Sequence, residues 1–369
     1  MNQKAVFPGR YIQGAGALAT LAEEVRQLGS RALILASGTP ERAIVPPHLA
    51  EWRERVAVTV ERFGGECSDE EIERLTKVAR SHACDVIVGM GGGKTIDTAK
   101  AVGYAAQARV AIVPTIASSD APTSAVAVIY TSAGVFLRTV ALPRNPDLVL
   151  VDTRVIAEAP VRFLVAGMGD ALATWFEAES CRMAHAPNEC GGLGTLAGYA
   201  LARLCYETLM EYGVAARMSC EEKVVTPALN HVVEANILLS GLGFESAGLA
   251  TAHSIHNGLT ELDATHSYLH GEKVAIGVLA SLFLTAQPSR LVAKVYDFCE
   301  SVGLPTTLAQ VGLGEVGEDD LRRVAEAACR EGETIHHESC PVSADAVVAA
   351  LKAADRFGRD RPDRRHRAS

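Results

Sequence analysis

No stretch of this 369-residue chain reaches the roughly 18 uncharged apolar residues that a membrane helix requires. Met1-Asn2-Gln3-Lys4 runs straight into strand-like sequence with no apolar h-region, so no signal peptide is expected. There is no Cys-x-x-Cys pair. The nine cysteines, an odd number, are scattered from Cys67 to Cys340, and they read as reduced, mostly buried thiols of a cytoplasmic protein. Positive charge is in deficit: 35 Lys and Arg face 44 Asp and Glu, giving a net charge of −9. An acidic surface argues against nucleic acid or an anionic membrane as partner. The basic run Arg359 to Arg367 is short and terminal, and reads as a frayed, solvated tail. Internal repeats and low-complexity segments are absent as well.

What is present is the balance of a soluble globular protein, with 48% apolar and 21% charged residues in a chain long enough for two domains. The first 155 residues alternate short β-rich runs with amphipathic helical stretches. Arg31 to Ser37, Val56 to Arg62, Asp85 to Gly89, Arg109 to Pro114 and Leu148 to Asp152 read as strands. Ser68 is a good N-cap for the helix after it, with Glu71 completing a capping box, and Thr95 to Ala106 reads as another helix. Residues 125–130 and 135–140 flank Thr131-Ser-Ala-Gly134 as a β-hairpin. The βαβα rhythm predicts a doubly wound, mostly parallel sheet over residues 1–155. From 156 to 369 strand runs disappear and helical periods dominate, which predicts a separate all-helical domain.

Gly89-Met-Gly-Gly-Gly-Lys94-Thr95 lies between a strand and a helix. It is neither of the two familiar phosphate motifs. A P-loop would need glycine at Val88, and a dinucleotide fingerprint would need it at Lys94. Consecutive glycines cost more entropy than a plain turn warrants, so the segment points to phosphate contact at a helix N-terminus. Pro114 to Ser124 follows a buried strand and offers several hydroxyls and one carboxylate, either as a ligand loop or as an ordinary polar loop. Four of the eleven histidines, His253, His256, His266 and His270, fall within 18 residues. With a carboxylate, two imidazoles make a sound catalytic zinc set. The spacing matches no compact zinc motif and does not choose the ligands.

Several blocks in order look familiar: Gly91 to Lys100, Pro114 to Ser124, Asn145 to Asp152, Gly169 to Ala178, Gly243 to Ser246, Ala252 to Gly258 and His270 to Val274. Together they resemble the glycerol dehydrogenases of the iron-containing alcohol dehydrogenase superfamily, from about residue 5 to about residue 355. The resemblance implies an N-terminal nucleotide-binding α/β domain, a C-terminal helical domain and an active site in the cleft between them. It selects Asp170, His253 and His270 as ligands of a zinc ion, with His256 beside the metal as a catalytic residue. Superfamily members with four ligands carry a histidine four residues after the aspartate. Thr174 stands there, which fits the three-ligand zinc branch. Gly92, Gly93 and Lys94 would meet the cofactor diphosphate, and Thr115, Ser118, Ser124, Val126 and Tyr130 the nicotinamide half. Asp120 would be a second catalytic residue, in contact with the substrate hydroxyls, and Phe244 would wall the pocket.

The implied reaction is hydride transfer between a small polyol (glycerol to dihydroxyacetone, or a related vicinal diol) and NAD, in a homo-oligomeric enzyme. One departure concerns the cofactor. Relatives that prefer NAD usually hold the adenosine ribose with an aspartate at the end of the second strand, where this chain has Ser37, so NADP is open to it. Two other readings differ in class: an NAD- and zinc-dependent sugar-phosphate cyclase, a lyase with no net change in NADH absorbance, and a non-catalytic oligomeric scaffold. The first would need a basic pocket, which the site segments lack. The second is disfavoured by the retained ligands and glycine turn.

Overall fold

The computed structural model describes residues 1–361. The chain forms two compact units that are interleaved along the sequence. One is Val6–Leu164 with Ala215–Gly241, and the other is Met1–Ala5, Val165–Val214 and the chain from Leu242 on. A single boundary at 155, as the sequence suggests, therefore misses the return of residues 215–241 to the α/β unit.

The elements run β1 (Tyr11–Gly14), α1 (Leu21–Leu28), β2 (Arg31–Ala36), α2 (Val45–Arg55), β3 (Ala57–Arg62) and α3 (Asp69–Ser81). Next come β4 (Val86–Gly91), α4 (Gly93–Ala106), β5 (Arg109–Pro114), the antiparallel pair β6 (Val126–Tyr130) and β7 (Phe136–Ala141), β8 (Leu148–Asp152) and α5 (Thr153–Glu158). The rest is helical: α6 (Val161–Ala184), α7 (Leu196–Glu221), α8 (Pro227–Glu234), α9 (Ser240–Ala247) and α10 (Thr251–Leu259). Then follow α11 (His270–Leu284), α12 (Ser289–Val302), α13 (Glu318–Ala328) and α14 (Ala344–Asp360). A π-helical turn over Ala235–Leu239 joins α8 to α9.

The main sheet has six strands in the order β1-β8-β5-β4-β2-β3, all parallel. Its four central strands, β8, β5, β4 and β2, are buried on both faces, which is why they read as continuous apolar runs, while the edge strands β1 and β3 are half-buried. One face packs Ala32, Ile34, Val86, Val88 and Met90 against Leu21, Val25 and Trp52 of α1 and α2. The other carries α4 across β4 and β5. The chain leaves β2 toward β3 on one side and β4 toward β5 on the other. The C-terminal ends of β2 and β4 therefore flank a switch point, the usual place for a ligand in such sheets.

Two local expectations are refined. Ser68 does cap α3, accepting from the Glu71 amide, but the Glu71 side chain turns to the Gly64 amide and to Arg74 and does not close a capping box. The basic run begins inside the fold: Arg359 is in α14, and Arg361 pairs with Asp297 and, at 2.6 Å, with Glu300. Residues 362–367 of that run lie outside the described residues. All nine cysteines are free thiols, five of them buried. Among the described residues, no helix is long and apolar enough to cross a membrane.

Candidate functional site

In the helical unit, α6 and α11 touch backbone to backbone. A methyl carbon placed on Gly271 would lie 1.8 Å from the Ala166 carbonyl oxygen, and one on Gly169 would lie 2.3 Å from the Gly271 carbonyl oxygen. Only glycine allows that approach. The neighbours of these two glycines are Asp170 and His270, and the crossing brings His270 Nε2 to 2.9 Å from Asp170 Oδ1. Helix α10 packs on α11 and α13. It delivers His253, whose Nε2 lies 3.4 Å from the same carboxylate oxygen. The ligand atoms of Asp170, His253 and His270 all lie within 4.8 Å of one another, a set that could hold a metal ion. Asp170 is buried and His270 is exposed, so the cluster opens toward solvent on the His270 side.

The surroundings orient the rings. Glu177, two helical turns beyond Asp170 on α6, takes the other nitrogen of His253: Nδ1 to Glu177 Oε2 is 2.6 Å. With Nδ1 donating to Glu177, the His253 Nε2 lone pair would be left for a metal ion held beside Asp170, the arrangement common among metal-bound histidines. His270 Nδ1 meets His256 Nε2 at 2.9 Å, and His256 Nδ1 meets Asn257 Oδ1 at 3.1 Å. His253 and His256, three apart on α10, thus serve the same cluster from one helix face.

The electrostatics favour a cation. Burial alone would push the His253 pKa down, but the Glu177 and Asp170 carboxylates outweigh it and hold it well above the usual value. Burial would raise Asp170, yet His270 and His253 hold its carboxyl well below the usual carboxylate range. His256 is kept neutral by burial first and by the neighbouring His270 and Lys273 second. Two buried carboxylates around one imidazole call for compensating positive charge, which a divalent ion can supply.

Thr174, one turn past Asp170, packs against Gly243: a methyl carbon there would lie 2.5 Å from Thr174 Cγ2. Phe244 follows in α9, buried within the helical unit.

In the α/β unit, the residues expected at the cofactor gather at the strand ends. Helix α4 starts at Gly93, two residues earlier than the sequence suggests, and its N-cap Gly92 offers no side-chain cap. Neither glycine has positive φ, so their role is space and not turn geometry. A methyl carbon on Gly92 would sit 2.9 Å from Ile116 Cδ1, and one on Gly91 would sit 2.6 Å from Ser37 Oγ. Thr115 donates its amide to the Gly91 carbonyl. Lys94 lies over the Tyr130 ring, 4.9 Å from its centroid, and pairs with Glu66 at 2.6 Å.

Sequence reasoning gave no role to Asp97 and Lys100, a buried ion pair on α4 at 2.9 Å. Lys100 Nζ also donates to the Ala121 carbonyl at 2.9 Å and to that of Val126, and Asp97 accepts the Val128 amide. The pair ties residues 121–128, including Ser124 and Val126, to α4. Asp120, just before them, is buried and accepts a 2.6 Å hydrogen bond from the Ser240 hydroxyl. Ser118 lies in the same segment. The signal for the ion pair was an acid and a base three apart on one helix face. The signal for Glu177 was a carboxylate seven residues after Asp170.

The model of the iron-containing alcohol dehydrogenase family matches residues 8–153. The chain is 62% identical over 361 residues to a glycerol dehydrogenase of Thermotoga maritima, covering 98% of this chain and 99% of that one. It is 45% identical over 360 residues to a glycolaldehyde reductase of Halobacterium salinarum, covering 97% and 98%. The crystal structure of a probable glycerol dehydrogenase from Sinorhizobium meliloti superposes with a TM-score of 0.91 at 46% identity, covering 97% of this chain and 100% of that one.

Proposed function

The chain belongs to the iron-containing alcohol dehydrogenase family and is an oxidoreductase, and on that premise we propose that it is a zinc-dependent, nicotinamide-linked glycerol dehydrogenase. The observation that carries the reading is the Asp170, His253, His270 cluster at the glycine-lined helix crossing. One carboxylate and two imidazoles suit zinc, and three protein ligands leave a position open for substrate. Bound there, zinc would polarise the reacting oxygen as a Lewis acid while the nicotinamide exchanges the hydride. The chain's own residues do the rest. Glu177 holds the His253 ring, and His256 meets the solvent-side ligand His270. Gly92, Gly93 and the free amides at the start of α4 receive the diphosphate, with Lys94 beside them, and Thr115, Ser118, Ser124, Val126 and Tyr130 serve the nicotinamide half. Asp120 accepts from a second substrate hydroxyl, and Phe244 walls the pocket. A polyol and ketone panel, read by NADH and NADPH absorbance with metal analysis of the same samples, tests the reading. Zinc-dependent oxidation of glycerol is expected, and no absorbance change with any polyol or ketone would refute it.

The role of Asp120 has its own consequence. Asp120→Asn is expected to raise KM for glycerol about tenfold while leaving a mono-alcohol nearly unaffected, because only glycerol presents a non-reacting hydroxyl to it. Equal effects on both substrates would remove Asp120 from diol recognition.

Cofactor choice turns on Ser37. It carries no charge to repel a 2′-phosphate, and the Arg42 guanidinium bends back to within 3.4 Å of a methyl carbon placed on Gly38. NAD is expected as substrate, with weak discrimination against NADP. Ser37→Asp would set a carboxylate against the 2′-phosphate, costing about 2–3 kcal/mol, or about 100-fold in kcat/KM for NADP, with the NAD value held or raised. An unchanged ratio of the two cofactors would show that Ser37 is not at the ribose.

A further inference from the structure

Glu177 does two things at once. One carboxylate oxygen, Oε1, accepts the backbone amides of Ala250 and His253, each at 3.0 Å. Those amides open α10, whose N-cap Ala250 has no side chain able to cap it. Glu177 therefore caps, from α6, the helix that carries His253. The other oxygen, Oε2, lies 2.6 Å from His253 Nδ1. The carboxylate is 2% exposed, so none of these bonds competes with water.

We propose that Glu177 is the positioning residue of the metal centre, fixing both the height of α10 and the tautomer of His253 through one acceptor-only group. The inference rests on the metal-site reading of the preceding section. Three donors converge on Glu177, and an ionised carboxylate can accept all three. Glutamine cannot. If its carbonyl takes the two amides, its NH₂ faces Nδ1, makes that nitrogen the acceptor and moves the ring proton to Nε2. The ligand atom is then blocked. If the amide is flipped, its NH₂ opposes two backbone N–H groups and the helix start is left uncapped. Glu177→Gln is therefore nearly isosteric but inverts the hydrogen-bond polarity.

The test separates positioning from capping. Zinc affinity is measured by chelator competition on metal-stripped full-length protein, at a temperature where circular dichroism shows each variant folded. Cobalt is also loaded, and its visible spectrum read. The wild type, Glu177→Gln, Glu177→Asp and Thr251→Val are compared. Thr251 is a control: its hydroxyl bonds Glu338 at the same helix start and touches no ring nitrogen. Glu177→Gln is expected to weaken zinc about 10- to 100-fold and to alter the cobalt spectrum, with Thr251→Val within about twofold of wild type. Glu177→Asp keeps the charge but is one methylene short of Nδ1, and is expected to lose affinity also, so it carries the test if the Gln variant does not fold. A Glu177→Gln protein that melts lower but binds zinc like wild type would reduce Glu177 to a cap and overturn the proposal. So would an equal loss in Thr251→Val. Failure of the wild type itself to bind zinc would instead sink the metal-site reading.

Discussion

Asp170→Ala is expected to leave the purified protein without stoichiometric zinc and to lower kcat/KM for glycerol by about 10³-fold or more. The magnitude follows from the several kcal/mol of charge stabilisation a Lewis acid supplies, at about 1.4 kcal/mol per factor of ten. His253→Ala and His270→Ala are expected to do the same, while nucleotide binding, assigned to residues of the other unit, persists. His256→Ala separates the histidines. Its ring meets Nδ1 of His270, the nitrogen turned away from Asp170, so it supports a ligand without being one. That variant should load zinc stoichiometrically, holding it about tenfold more weakly. Metal content and steady-state rates on the same preparations decide the matter. Stoichiometric zinc with normal turnover in His270→Ala would refute the assignment.

The second large effect requires no change to a ligand. Gly271→Ala would place a methyl carbon 1.8 Å from the Ala166 carbonyl oxygen, which is backbone and cannot rotate away. Helices α6 and α11 would have to part by more than about 1 Å to reach ordinary contact. Overpacking of that kind costs about 3 kcal/mol or more. The same displacement separates Asp170 from His270, and misplacement of about 1 Å at a catalytic centre can cost about 100-fold in rate. Chemical denaturation of the metal-free protein measures the first cost, and zinc affinity the second. Gly314→Ala is the comparison. Its nearest contact would be Ala309 Cβ at 3.6 Å, and its expected effect is within about 0.5 kcal/mol. If the two variants denature alike, the crossing is not held by close approach at Gly271.

Local signals made the α/β unit legible. Buried parallel strands appear as unbroken apolar runs, Ser68 announces a helix, and a glycine-containing turn separates the two arms of the hairpin at 126–141. The cluster of Asp170, His253 and His270 was legible only in part. Histidine crowding showed that something was there, yet Asp170 lies 100 residues from its partner His270, and no short-range pattern links them. The resemblance, not the spacing, selected that set. The glycines of the turn before α4 read as phosphate contacts, and Gly169 and Gly271 carry no sequence signal of their own, whereas Gly92, Gly169 and Gly271 are needed for room. Composition cannot tell the two uses apart, because room is a property of what packs opposite. Glu177 stood in a quoted block without a role, since a carboxylate on an apolar helix face reveals its purpose only once α10 is laid against it.

The interleaving of the two units has a consequence for synthesis. Asn236 donates from its amide nitrogen to the carbonyls of Ala117 and Leu164, and the Gln13 side chain donates to the Asn230 carbonyl. The α/β unit therefore closes on a segment the ribosome makes well after the last strand. At about 5–20 residues per second, the nascent sheet waits several seconds for it while α6 and α7 are already emerging. Until then the Ala117 and Leu164 carbonyls lack their native partner. The last piece of the α/β unit arrives only after part of the helical unit has been translated, so neither can finish as an independent folding event in chain order.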